Sequence, residues 1–120
     1  MLNNESVSSA YNSHFQNLGS DVIMKNYSCA YNSSVTTDIN CNGYARARTV
    51  FIIASGHTSD GNSTEAEIGY IRCGYDGNHA TYTRISYSGS LVISSISVNS
   101  SANIVITCSS VANLLLIVNK

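Results

Sequence analysis

Residues 91–120 read LVISSISVNSSANIVITCSSVANLLLIVNK, and the spacing of apolar residues in this stretch decides the fold class. Leu91, Ile93, Ser95 and Ser97 fall on one face of an extended chain, and Val92, Ser94, Ile96 and Val98 on the other. After the polar break Asn99-Ser100-Ser101-Ala102 a second such segment follows, and then a run that is apolar at every position, Leu114 to Val118. Period-two alternation is the mark of a strand with one face in a core. An unbroken apolar run of this length is a strand buried on both faces.

Working outward, the same period covers everything from Asp21 on. Eight strands are predicted, at 21–31, 34–41, 45–55, 66–75, 80–87, 90–98, 103–110 and 113–118. Their separators carry turn chemistry: Asn32-Ser33-Ser34, Asn42-Gly43, Asp60-Gly61-Asn62, Asp76-Gly77-Asn78 and Ser88-Gly89-Ser90. Asp-Gly and Asn-Gly tolerate the positive φ of tight hairpins. Short strands, such turns and no helical stretch between them predict an all-β domain, an antiparallel β-sandwich or jelly roll of about eight strands. Loop lengths permit both an up-and-down and a Greek-key path.

Two of these strands are apolar on both faces: Val50-Phe51-Ile52-Ile53-Ala54 and the run Leu114 to Val118. A two-sheet domain of 120 residues has one internal core, so a second burial surface is required. Covering it with three large apolar side chains is worth roughly 5–8 kcal/mol before association costs. Phe51, Ile53, Leu115 and Ile117 are therefore candidates for contacts between copies of the chain in a homo-oligomer. The alternative is that the amino-terminal arm folds back over them within one chain.

That arm, residues 1–20, differs from the β-domain at 21–120. Val7, Tyr11, His14 and Leu18 repeat with 4-3-4 spacing, Asn3 or Asn4 can cap the start, and Gly19 suits the position just past the end. A helix of about three turns is marginal alone and needs a surface to lie on. Val7, Tyr11 and Leu18 are its anchor candidates.

Composition narrows the function classes. Six Lys and Arg against seven Asp and Glu, a net of −1, lack the basic footprint of a nucleic-acid binder. No apolar run reaches the ~18–20 residues that span a bilayer, so membrane insertion is not expected. The first residues show no secretory pattern, and the chain reads as soluble and made in the cytoplasm. A surface that is polar but only 11% charged suits particles that pack many copies without long-range repulsion. The cysteines Cys29, Cys41, Cys73 and Cys108 are widely spaced, unlike zinc ligands, and read as reduced core residues. Disulfides would imply an oxidising compartment.

Catalytic signals are weak, and the chain is not expected to be an enzyme. Ser55, His57 and Asp60 lie within one turn, whereas a working triad is assembled from separate elements. Glu65 and Glu67 would share one strand face, in salt or solvent contact. The tripeptide Asp-Gly-Asn occurs twice, with His57 and His79 close by, but neither copy continues into calcium-loop spacing. No metal or other cofactor is expected. Tyr75, beside Asp76, Asn78 and His79, is the candidate ligand loop, because an exposed tyrosine suits sugar stacking and protein contacts.

A short polar helix followed by a compact β-domain resembles trimeric bacteriophage fibre proteins: head-fibre, capsid-decoration and tail-fibre tip domains. The likeness is carried by VFIIASGHTSDGNSTEAEIGYIRCGYDG and by SLVISSISVNSSANIVITCSSVANLLLIV, and spans roughly residues 47–120. It implies a virion structural protein, assembled in the host cytoplasm. Its homotrimer would attach to the capsid or another virion protein by the amino end and project the β-domain. Alternatives are the carbohydrate- or receptor-binding tip of a tail fibre, with a host-surface glycan as partner, and a secreted lectin-like domain. No catalytic residue is implied.

Overall fold

A computed structural model describes residues 22–41, 48–58, 60–74 and 77–119. They form eight strands: β1 Val22–Cys29, β2 Ser33–Asn40, β3 Arg48–His57, β4 Thr64–Cys73, β5 Ala80–Ser88, β6 Ile93–Val98, β7 Asn103–Cys108 and β8 Val111–Asn119. All pairings are antiparallel, and no helix occurs among the described residues. The expected amino-terminal helix, with Val7, Tyr11 and Leu18, lies outside them.

The strands divide unevenly. A five-stranded sheet has the order β1-β8-β3-β4-β5 and a three-stranded sheet the order β2-β7-β6. β3-β4-β5 and β6-β7 run as hairpin neighbours, while β1 to β2, β2 to β3, β5 to β6 and β7 to β8 change sheet. The path is therefore not the up-and-down alternative. The closing strand β8 is central, paired on one side with β1 and on the other with β3. This is why residues 114–118 are apolar at every position: a central strand has no solvent edge, and both of its faces carry apolar neighbours.

One core is shared by both sheets. Val50, Ile52 and Ala54 of β3, Ile71 of β4 and Leu114, Leu116 and Val118 of β8 meet Ile93, Ile104 and Ile106 from the smaller sheet. Each of these larger side chains contributes about 1.5–3 kcal/mol by leaving water. All four cysteines are buried in or beside this core. The outward face of the smaller sheet is polar: Ser34, Thr107 and Ser95 form one cross-strand row, and the Ser34 and Thr107 hydroxyls are 2.6 Å apart.

The sixth strand departs from simple alternation. Ile93 faces Cys108 and Ser95 faces Thr107, so Ser94 is an extra, bulged residue. The bulge brings Ile93 to the same side as Ile96 and Val98, although strict period two separates them. Val92 and Ile93 are both buried, which no regular strand allows on one face.

At the β1/β2 side the two sheets are tied by polar groups. Lys25 Nζ lies 2.9 Å from Asp38 Oδ2, and the Tyr27 hydroxyl donates to the other carboxylate oxygen. Those hydrogen bonds, from Tyr27 first and Lys25 next, hold the Asp38 carboxyl below its ordinary 3.8. A lowered folded-state value stabilises the fold above the unfolded value and loses that contribution as pH falls through the folded one. Asp38→Asn is therefore expected to flatten the acid limb of the stability profile below about pH 4. Urea melts at pH 7 and pH 3 check this. An acid loss equal to that of the unchanged protein would remove Asp38 as its source.

Candidate interaction surface

The five-stranded sheet turns one face to the core and the other away from it. Register places the outward residues in rows across the strands. Met24 faces Ile117, Ile117 faces Phe51, and Phe51 faces Tyr70. In the next row Leu115 faces Ile53 and Ile53 faces Ile68, with Asn26 and Ser86 at the two ends. Seven apolar or aromatic side chains from four strands thus form one patch. Met24 is 66% exposed, Phe51 49%, Ile68 46% and Ile53 41%, whereas Val50 and Ile52 on the inner face are fully buried. The Phe51 and Tyr70 rings pack at 6.3 Å between centroids, tilted by 56°.

The patch has a polar border. Ser28, Asn113, Ser55 and then Ala66 and Ser88 form the row on one side, and Thr49, Arg72 and Thr81 the row on the other. Neither apolar row contains a charged residue. The exposed fractions amount to roughly 400–600 Å² of apolar surface, the size of the largest apolar patch on a typical monomer, which is often functional.

Strand β4 shows how far the sequence bends to make this face. Ala66, Ile68 and Tyr70 point outward, and Glu65, Glu67, Gly69 and Ile71 point to the core. Two glutamates are buried so that isoleucine and tyrosine can face out. Glu65 and Glu67 share one strand face as expected, and of the salt or solvent contact expected of them the solvent option is corrected, since both are buried and Glu67 lies against Arg84. Glu67 Oε1 accepts the Val92 N–H at 2.8 Å, and Oε2 accepts the Tyr82 hydroxyl at 2.7 Å. Arg84 Nε lies 3.1 Å from Oε2, with its N–H off the line of a hydrogen bond, so that contact is charge pairing. Arg84 Nη2 donates to the Ile93 carbonyl at 2.7 Å. Burial and then Glu67 hold the Tyr82 phenol well above its ordinary value. Glu65 accepts the Ser110 hydroxyl. Every strong partner here is internal, so the cluster cements β4 and β5 to the start of β6.

The remaining candidates separate. Phe51, Ile53, Leu115 and Ile117 come together as direct cross-strand neighbours. Of the ligand-loop group, Tyr75 and Asp76 lie outside the described residues, and Asn78 and His79 are exposed in the β4–β5 hairpin. The two Asp-Gly-Asn turns sit at opposite ends of the ten-residue β4, about 30 Å apart at strand rise. Within one chain, Asn62 and Asn78 are therefore too far apart to hold one small ligand. Asp60 spends its carboxylate locally, accepting from the Thr58 hydroxyl at 2.5 Å and the Asn62 N–H at 3.0 Å. His57 Nδ1 donates to the Thr58 carbonyl at 2.7 Å, so Ser55, His57 and Asp60 are not joined as a triad. Burial, and then the neighbouring Cys29, push the Cys108 thiol up to about 12, which suits packing rather than nucleophilic chemistry. No group of three or more metal-ligating side chains occurs among the described residues.

Met24 and Ile68 were not anticipated as part of the surface. Ile68 and Tyr70 carry a signal that reads backwards, because alternation with two glutamates points them inward. Met24 carries none, since its relevance depends on β1 lying beside β8.

No protein-family model and no curated protein matches the chain. Among solved structures, the crystal structure of the Acinetobacter phage vB_ApiP_P1 tailspike protein is similar at 14% identity and a TM-score of 0.44. The match covers 78% of this chain and 20% of the tailspike, so the chain spans about a fifth of that protein. A likeness at this level carries no argument about function.

Proposed function

We propose that this chain is a structural subunit that works as a homo-oligomer within a bacteriophage particle, using the outer face of the five-stranded sheet for assembly. The observation that carries the reading is the inversion in β4: Glu65 and Glu67 are buried while Ile68 stays 46% exposed beside Phe51 and Ile53. In a lone chain that exchange is costly twice over, because carboxylates leave water and isoleucine remains in it. Burial of the outer face in an assembly removes the second cost. The bacteriophage setting comes from the resemblance of residues 47–120 to fibre and decoration domains, with three copies about an axis as the arrangement that resemblance implies. The arm at 1–20 is assigned to attachment on the capsid or another virion protein. No catalytic role is part of the proposal.

Light scattering on the intact protein at micromolar concentration is expected to give a multiple of the chain mass. The double substitution Phe51→Glu with Ile53→Glu is expected to reduce it to one chain mass with the β-sheet circular dichroism retained, because like charges cannot be buried unpaired at a dry contact. A monomer in the unchanged protein, at every concentration, would end the proposal.

A further inference from the structure

We infer that the partner of this face is the same face of another copy, so that the Met24-Ile117-Phe51-Tyr70 and Leu115-Ile53-Ile68 rows of neighbouring chains turn toward one another about a shared rotation axis. This rests on the reading of the chain as a homo-oligomer and adds which surface meets which.

Three observations select a like-with-like contact over a head-to-tail one. The first is the distribution of apolar surface. Eight large hydrophobic side chains are exposed among the described residues, and Met24, Phe51, Ile53 and Ile68 belong to this face. Of the others, Tyr31 sits in the β1–β2 turn, Ile85 is the bulged residue of β5 opposite the Ile68–Gly69 step, Tyr87 lies near the end of β5 and Leu91 follows that strand. None of these four is a cross-strand partner of another, so among the described residues they form no apolar row that could serve as a mate. The second is the character of the opposite side. The outward rows of the smaller sheet are Ser34-Thr107-Ser95 and Thr36-Val105-Ser97. A head-to-tail stack would press the apolar rows onto hydroxyls and strip those of water without replacing their hydrogen bonds.

The third observation is charge. A surface that meets itself brings each charge close to its own copy. Both glutamates of β4 are turned inward, Lys25 is engaged by Asp38, and Arg72 stands in the border row. The rows themselves are neutral, so contact between them brings no like charges together, and Arg72 stands outside them in the border. The apolar rows alone supply roughly half to three-quarters of the ~800 Å² per partner of a standard stable interface.

The test uses the full chain with single introduced cysteines. Cys29, Cys41, Cys73 and Cys108 are each at most 5% exposed, so an added surface thiol is the accessible one. Ile53→Cys and Leu115→Cys flank the centre of the patch, and Thr36→Cys on the opposite sheet is the control. Treated with diamide, which takes up the two electrons and two protons released, Ile53→Cys or Leu115→Cys is expected to give a covalent dimer on a non-reducing gel. Thr36→Cys is expected to remain a single chain. An oligomer in which neither face variant cross-links, or in which Thr36→Cys does so instead, overturns the like-with-like contact and leaves the oligomeric reading standing. A monomer by light scattering whose face variants stay unlinked removes both, and assigns the cover of the face to a segment of the same chain.

Discussion

Glu67→Ala is expected to destabilise the fold by about 3–5 kcal/mol, the usual cost of removing one partner from a buried charged pair. The side chain is fully buried, and its loss strands several groups at once. The Val92 N–H loses its acceptor, the Tyr82 hydroxyl loses its acceptor, and Arg84 loses the carboxylate facing it. An ordinary domain has only about 5–15 kcal/mol to spare, so the variant is expected to melt far below the unchanged protein or to fail to accumulate in soluble form. Glu67→Gln keeps an oxygen for the Val92 N–H but gives up the charge opposite Arg84, and should fall between the two. Tyr82→Phe keeps the ring, removes a single hydroxyl and should cost about 1–2 kcal/mol. Urea denaturation of the three variants orders them. Glu67→Ala within about 1 kcal/mol of the unchanged protein would show that the amides of β6 find other partners.

Gly69→Ala should be nearly as damaging, for a steric reason. Gly69 faces the core on β4, and the Tyr82 ring of β5 lies directly over it. A Cβ built there would stand 2.5 Å from both Tyr82 Cε1 and the Tyr82 oxygen, and 2.6 Å from the Thr83 carbonyl oxygen. The first two contacts could be relieved by swinging the ring away, but that takes the hydroxyl off Glu67. The third is with backbone and can be relieved only by parting β4 from β5. A glycine inside a strand commonly marks such a close approach. Overpacking of this kind costs about 1–3 kcal/mol, and disturbance of the Glu67 cluster adds to it. A double-mutant cycle with Tyr82→Ala checks the mechanism: the pair should be less destabilising than the sum of the singles, because removing the ring frees part of the space. Simple additivity would mean that the ring is not seated on the glycine.

Both effects arise in strand β4, where local reading and tertiary structure part most clearly. Its sequence, TEAEIGYIRC, alternates cleanly enough to be recognised as a strand. What alternation cannot say is which of its two faces is inside. Glutamates outside and Ile68 and Tyr70 inside is the reading hydrophobicity favours, and the structure has the reverse. Glu67 is drawn inward because buried amides at Val92 and Ile93, distant in sequence, need an acceptor, with Oε1 at 2.8 Å from the first and 3.4 Å from the second. Ile68 and Tyr70 then join Ile53 and Phe51 across the β3–β4 register.

The sequence alone determined the all-β class, the eight strands, their turns and the double apolar character of residues 50–54 and 114–118, because these follow from period-two patterning and from the few residues that accept a tight turn. It also pointed to Phe51, Ile53, Leu115 and Ile117 as surface in need of cover. Only the tertiary structure decided that β8 inserts between β1 and β3, that Ser94 bulges, and that Met24, Ile68 and Tyr70 complete the patch. The reason is that alternation is a property of one strand, whereas facing and neighbourhood are set by cross-strand register and by hydrogen-bonding needs of residues far away in the chain.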